Sequence, residues 1–124
     1  MQFLDLFNGW EDMEEFEAQS LIYSEAQRAD YMYVILSGEV ELSFHGGVLG
    51  TEQTGGIIGE MAMIKSATRN CTATAITDVS LARLNQKQFR ELIDQSSEFS
   101  FHAMATLANR LRAADRFISR KLEQ

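Results

Sequence analysis

Proline is absent from the 124 residues, and there are only one cysteine, two histidines and one tryptophan. A lone cysteine excludes an internal disulfide and suits a reducing, cytoplasmic compartment. His45 and His102 stand far apart, with no carboxylates at ligand spacing, so no metal is expected. The longest apolar runs, such as "YMYVIL" from Tyr31, are far too short to cross a bilayer, and no membrane association is expected. The N-terminus carries acidic residues where an export signal would carry basic ones. Lys65-Ser66 has no G-x-x-x-x-G before it, which excludes a P-loop. No nucleophile–base pair or acid–base couple stands out, so the chain does not read as an enzyme. Nothing resembles a linker, and residues 1–124 read as a single domain.

Positive charge is scarce and unevenly placed. Residues 1–102 hold six Lys/Arg against sixteen Asp/Glu, whereas residues 103–124 hold five against two. The acidic body would repel nucleic acid, and direct DNA binding by this chain is not expected.

The apolar pattern changes period twice. Phe3, Leu4, Phe7, Trp10, Met13 and Phe16 recur at three- and four-residue steps, which predicts short helices within residues 1–18, broken at Gly9. From about 19 to 84 the runs are short, β-rich and divided by turn signals. "EVELSF" alternates Val40, Leu42 and Phe44 with polar residues, and "HGG" at 45–47 marks a turn. From about 85 to 122 the helical period returns, with Asn85 as a candidate N-cap. Met104, Leu107, Leu111, Ala114 and Ile118 step as a heptad seam, with Arg110, Arg112, Arg116 and Arg120 on the remaining face. The pattern predicts a mainly β fold with flanking helices: an antiparallel, jelly-roll-like β-roll with short N-terminal helices and a long C-terminal helix. The seam predicts a homodimer through that helix.

One stretch carries chemistry: "GGIIGEMAMIKSATRNCTATA", residues 55–75. Its glycines let backbone approach a ligand closely, and a helical turn beginning at Glu60 would present free N–H groups. Arg69 adds a permanent charge and a planar fork of donors suited to phosphate oxygens. Glu60 is out of place beside a phosphate unless it accepts from a hydroxyl of the same ligand, with Arg69 balancing its charge. A ribose 3′,5′-cyclic phosphate presents both features. Taken alone, Arg69 would pass for a solvated surface residue and Glu60 for a helix N-terminal acid. Cys71 fits a small buried filler.

The same stretch resembles the phosphate-binding cassette of cyclic nucleotide-binding domains of the catabolite-activator family, with Gly-Glu, a small-residue turn, and Arg followed by small residues and Thr. "LIYSEAQRADYMYVILSGEVEL" is similar to that family's first strands, and "FHAMATLANRLRAAD" to its C-terminal helix. The resemblance implies that Arg69 binds the exocyclic phosphate oxygens, helped by the N–H groups of Ala62 and Asn70. It also implies that Gly59 turns the chain and that Glu60 takes the ribose 2′-OH. Met61 and Cys71 complete the cassette set, Thr72 lines the pocket, and the helical lid over the base falls near Ala114 and Asp115. Ala18, Ala26 and Ile58 depart from the family pattern of Gly, Gly and Phe. The implied ligand is cAMP, on bacterial abundance alone, or cGMP; a carboxylate at Asp115 would serve either base. A metal-dependent cupin roll is disfavoured by the shortage of histidine. The resemblance implies a regulatory module in which ligand repositions the C-terminal helix for an unknown effector protein. A transcription-factor sensor fragment and a nucleotide-free scaffold are the alternatives.

Overall fold

The computed structural model describes residues 2–64 and 68–122. In chain order these form a 3-10 helix (Gln2–Phe7), β1 (Met13–Phe16), β2 (Leu21–Tyr23), β3 (Met32–Ser37), β4 (Val40–Phe44), β5 (Gly47–Glu52), β6 (Ile57–Ile58), α1 (Met61–Ile64), β7 (Thr72–Ala75), β8 (Val79–Leu84), α2 (Gln86–Gln95) and α3 (Ser97–Leu122). Two four-stranded sheets, β1-β8-β3-β6 and β2-β7-β4-β5, face each other, and their strand pairs are antiparallel. The expected mainly β roll with a long C-terminal helix is the fold found.

The first sheet is covered on both sides, which explains its unbroken apolar runs. Along β3, Met32 and Val34 join Phe3, Phe7, Leu84, Phe89 and Phe99 in a core beneath the helices. The intervening Tyr33 and Ile35 pack with Val40, Leu42, Ala73 and Leu81 between the sheets. The pleat sends successive side chains into two different cores. The β4–β5 hairpin turns at His45 and Gly46 with positive φ of 48° and 80°, as its "HGG" signal predicts.

The expected helical segment over residues 1–18 is corrected. Helix ends at Phe7, Gly9 at φ 75° turns the chain, and Met13–Phe16 pairs with Val79–Ala82 as β1. A four-residue stretch satisfies a helical and an alternating pattern equally well, and here a partner strand decides. Arg83 on β8 pairs with Asp12 at 3.0 Å and Glu14 at 2.9 Å, an attachment that local periodicity does not reveal. The roll therefore begins near residue 13 rather than 19.

Asn85 caps α2 in a capping box: its Oδ1 accepts the Gln88 N–H at 2.8 Å, and the Gln88 side chain accepts the Asn85 N–H at 2.9 Å. Helix α3 has two unlike halves. Its first half is docked through buried Phe99, Ala103 and Thr106, with Phe99 edge-on to both Phe3 and Phe89. His102 Nε2 lies 2.8 Å from the carbonyl oxygen of Gly55 and must donate, because a carbonyl only accepts. From Leu111 onward most of the described side chains are exposed.

Candidate functional site

Between the second sheet and α3 lies a cavity of about 510 Å³, a volume ordinary for small-ligand sites. Tyr23, Gly59, Glu60, Asn70 and Cys71 contribute to its wall, and Asn109, Arg110, Ala113, Ala114 and Arg116 close it from the helix side. The local chain conformation explains why a glycine precedes Glu60. Gly59 has φ 75°, and a Cβ there would stand 2.5 Å from Nη1 of Arg69. Any other residue would be strained and would push the guanidinium away.

Arg69 is 7% exposed, with its guanidinium 4.1 Å above the Tyr23 ring and 5.6 Å from the centre of Tyr33. Its backbone is fixed on both sides: the N–H donates to Gln27 O and the carbonyl accepts from Ala26 N–H, each at 2.8 Å. Nε and Nη1 are buried and have no hydrogen-bond partner among the described residues. Arg69 lies directly behind the cavity wall, in contact with Gly59 and Tyr23, which both belong to that wall. Two bare guanidinium donors under cover are costly to keep, and an anion would satisfy them.

Glu60, 4% exposed, is partnered differently from the expectation that Arg69 balances it. Arg110 Nε stands 3.1 Å from Glu60 Oε1. The same guanidinium donates to Glu52 Oε1 at 3.2 Å and to the Ile57 carbonyl at 2.7 Å. The Arg110–Glu60 contact is an ion pair without hydrogen-bond alignment, so Oε1 can still accept from a donor. Burial pushes the Glu60 carboxyl above its ordinary range, with Arg110 opposing the shift. Burial works against the charge of Arg110, but Glu60 and Glu52 outweigh it and hold its pKa above the usual value. Burial likewise raises the Tyr23 hydroxyl and the Cys71 thiol, so Cys71 sits in the wall as an unreactive small residue.

The remaining expected positions divide. Asn70 and Cys71 reach the cavity with Gly59 and Glu60. Met61 and Ala62 are half-buried in α1 and contribute nothing to the wall, and the Ala62 N–H is directed at Gly59 O at 3.3 Å. Thr72 turns away: its Oγ1 accepts the Glu25 N–H at 3.1 Å and braces the turn that holds the Arg69 backbone. Asp115 is exposed and off the wall, whereas Ala114 and Arg116 are on it. A helix turns by about 100° per residue, so one position separates the cavity face from solvent. The cassette turn at 65–67, including Lys65 and Ser66, lies outside the described residues. Arg110, expected on the outer face, is the site residue that sequence reading missed; nothing local distinguishes it from Arg112 or Arg120.

The cyclic nucleotide-binding domain family model matches residues 13–96. The chain belongs to that family. This cyclic nucleotide-binding domain is 32% identical over 89 residues to the cGMP-dependent protein kinase egl-4 of Caenorhabditis elegans, covering 72% of this chain and 11% of the kinase. It is also 32% identical over 79 residues to the cAMP-dependent protein kinase regulatory subunit of Yarrowia lipolytica, covering 62% of this chain and 21% of the subunit. Among solved structures, the Thermus thermophilus catabolite activator protein aligns at TM-score 0.73 and 26% identity, over 94% of this chain and 57% of that one. The domain thus spans a small part of the curated relatives' length. No helix among its described residues is long and apolar enough to cross a membrane.

Proposed function

We propose that the domain is a regulatory module that binds a 3′,5′-cyclic nucleotide and transmits occupancy through α3, without a catalytic step of its own. The observation that carries this reading is the separate partnering of two buried opposite charges. Glu60 is held by Arg110, which leaves the Nε and Nη1 donors of Arg69 bare. Arg69 then supplies the phosphate fork, and Glu60 keeps accepting capacity for a ribose hydroxyl.

A hydroxyl on Glu60 acts on the same carboxylate that Arg110 grips. Because Arg110 also donates to Ile57 O, it ties α3 to the roll, and ligand chemistry at Glu60 bears directly on that tie. Occupancy shifts the helix by as much as the ligand's affinity differs between helix positions. The exposed Met104 and Leu111, seven residues apart on α3, form the surface through which a second copy would pair, whereas Ala114 and Ile118 of the expected seam border the cavity. An effector protein would read the changed helix position.

Both cAMP and cGMP present the same phosphate and ribose to Arg69 and Glu60. Titration calorimetry of nucleotide-stripped protein with each is the direct test, with one ligand per chain expected. Arg69→Ala should weaken binding at least about tenfold, since charge-assisted hydrogen bonds are lost. Unchanged affinity in that variant removes Arg69 from the site. Sedimentation equilibrium of the parent and of Leu111→Glu tests the pairing surface, with dissociation expected in the variant.

A further inference from the structure

Helix α3 brings both apolar and polar side chains to the cavity wall. Asn109, Ala113 and Arg116 are spaced by four and three residues and all reach the cavity wall, with Ala114 beside them. Such spacings put side chains on one helix face. The two alanines leave a shallow apolar strip, bounded by Asn109 one turn before and Arg116 one turn after. Phe44 and Leu49 of the second sheet add apolar wall to the same cavity. A planar base fits such a slot, and the polar groups at its border decide which base.

Of the side chains at that border, Asn109 both donates and accepts, and Arg116 only donates. The wall carboxylates Glu52 and Glu60 each pair with Arg110, and Glu60 is the group assigned to the ribose hydroxyl. Arg116 has no hydrogen bond or ion pair with any described residue, and its guanidinium carries donors only. Guanine offers two adjacent acceptors, O6 and N7, which a guanidinium meets with a pair of N–H groups. Adenine offers N7 and an amino group on the same edge, so one of the two N–H groups would face another donor. The amides of Asn70 and Asn109 donate and accept, serve either base, and select neither.

We infer that Arg116 is the specificity-determining residue of this site and favours guanine, making cGMP rather than cAMP the preferred ligand. This rests on the cyclic-nucleotide reading above and reverses the leaning to cAMP that bacterial abundance suggests. Arg116 is exposed and supports no core packing, so its replacement leaves the fold intact.

Competition binding with cGMP, cAMP and inosine 3′,5′-cyclic monophosphate tests it. The inosine ligand keeps O6 and N7 but lacks the 2-amino group, which isolates the edge that Arg116 reads. The parent should bind cGMP and the inosine ligand about tenfold more tightly than cAMP, the discrimination of one modest bidentate contact. Arg116→Ala should bring all three within about twofold of one another while its melting temperature stays at the parent value. A parent that prefers cAMP, or a preference for cGMP that survives Arg116→Ala, overturns the assignment and leaves the cyclic-nucleotide reading standing. Binding of none of the three removes both.

Discussion

Arg110 lies 3.1 Å from Glu60, fifty positions earlier in the chain, and this contact neutralises the buried carboxylate of the cassette. Arg69, only nine positions from Glu60, is left without a carboxylate partner among the described residues. The division matters because a guanidinium already paired to Glu60 would bind an anion only by giving up that partner. Two arginines allow both charges to work.

Removing Arg110 should therefore be expensive. Arg110→Ala leaves Glu60 buried beside Glu52 without its cation, and a loss of about 2–4 kcal/mol is expected, at or below the buried-pair range because Arg110 keeps some solvent contact. Adding Glu60→Gln should recover much of it, since no buried charge then remains unpaired. Urea unfolding of the two singles and the double measures the coupling; additive losses would show that the pair does not act as a unit.

Arg69 should behave in the opposite sense. Its bare buried donors do not stabilise the ligand-free fold, so Arg69→Met, which keeps the bulk over Tyr23, is expected to raise or preserve the melting temperature while abolishing nucleotide binding. A stability loss above about 2 kcal/mol by denaturant titration would mean that the stacking on Tyr23 dominates.

Glu60 carries a pH signature. Its carboxyl is raised by burial, so the folded state binds a proton more tightly than the unfolded chain does. Stability from this group is therefore fully present below the ordinary carboxylate pKa, about 4.3, and is lost as pH rises through the raised value. Glu60→Gln should flatten that part of the stability–pH curve, as thermal melts between pH 4 and 8 would show. The same variant should discriminate less between ribose and 2′-deoxyribose cyclic nucleotides, since an amide oxygen is a weaker acceptor than the carboxylate.

Ala26 stands at φ 69°, a conformation that disfavours any side chain, in the turn that holds the Arg69 carbonyl. Ala26→Gly should relieve this and gain up to about 1 kcal/mol, the steric relief outweighing the added freedom of the unfolded chain. A drop in melting temperature would show that the entropic term wins.

What the sequence determined by itself was whatever depends on neighbours within a turn or two. The capping box needs only Asn85 and Gln88, three positions apart, and the β-roll needs only alternating runs and turn residues. Gly59, Glu60 and Arg69 stand out together within one short stretch, but the pairing of Glu60 with Arg110 in place of Arg69 does not show there. Tertiary structure decided the rest, because it turned on partners distant in the chain. Met13–Phe16 became a strand because β8 offered an edge and Arg83 its charge. Arg110 became a site residue because packing of Phe99 and Ala103 sets the rotation of α3 and brings that one arginine over Glu60. The same rotation puts Arg116 on the cavity wall and Asp115 in solvent. Periodicity shows that a helix has faces, but only the surface it packs against determines which face looks inward.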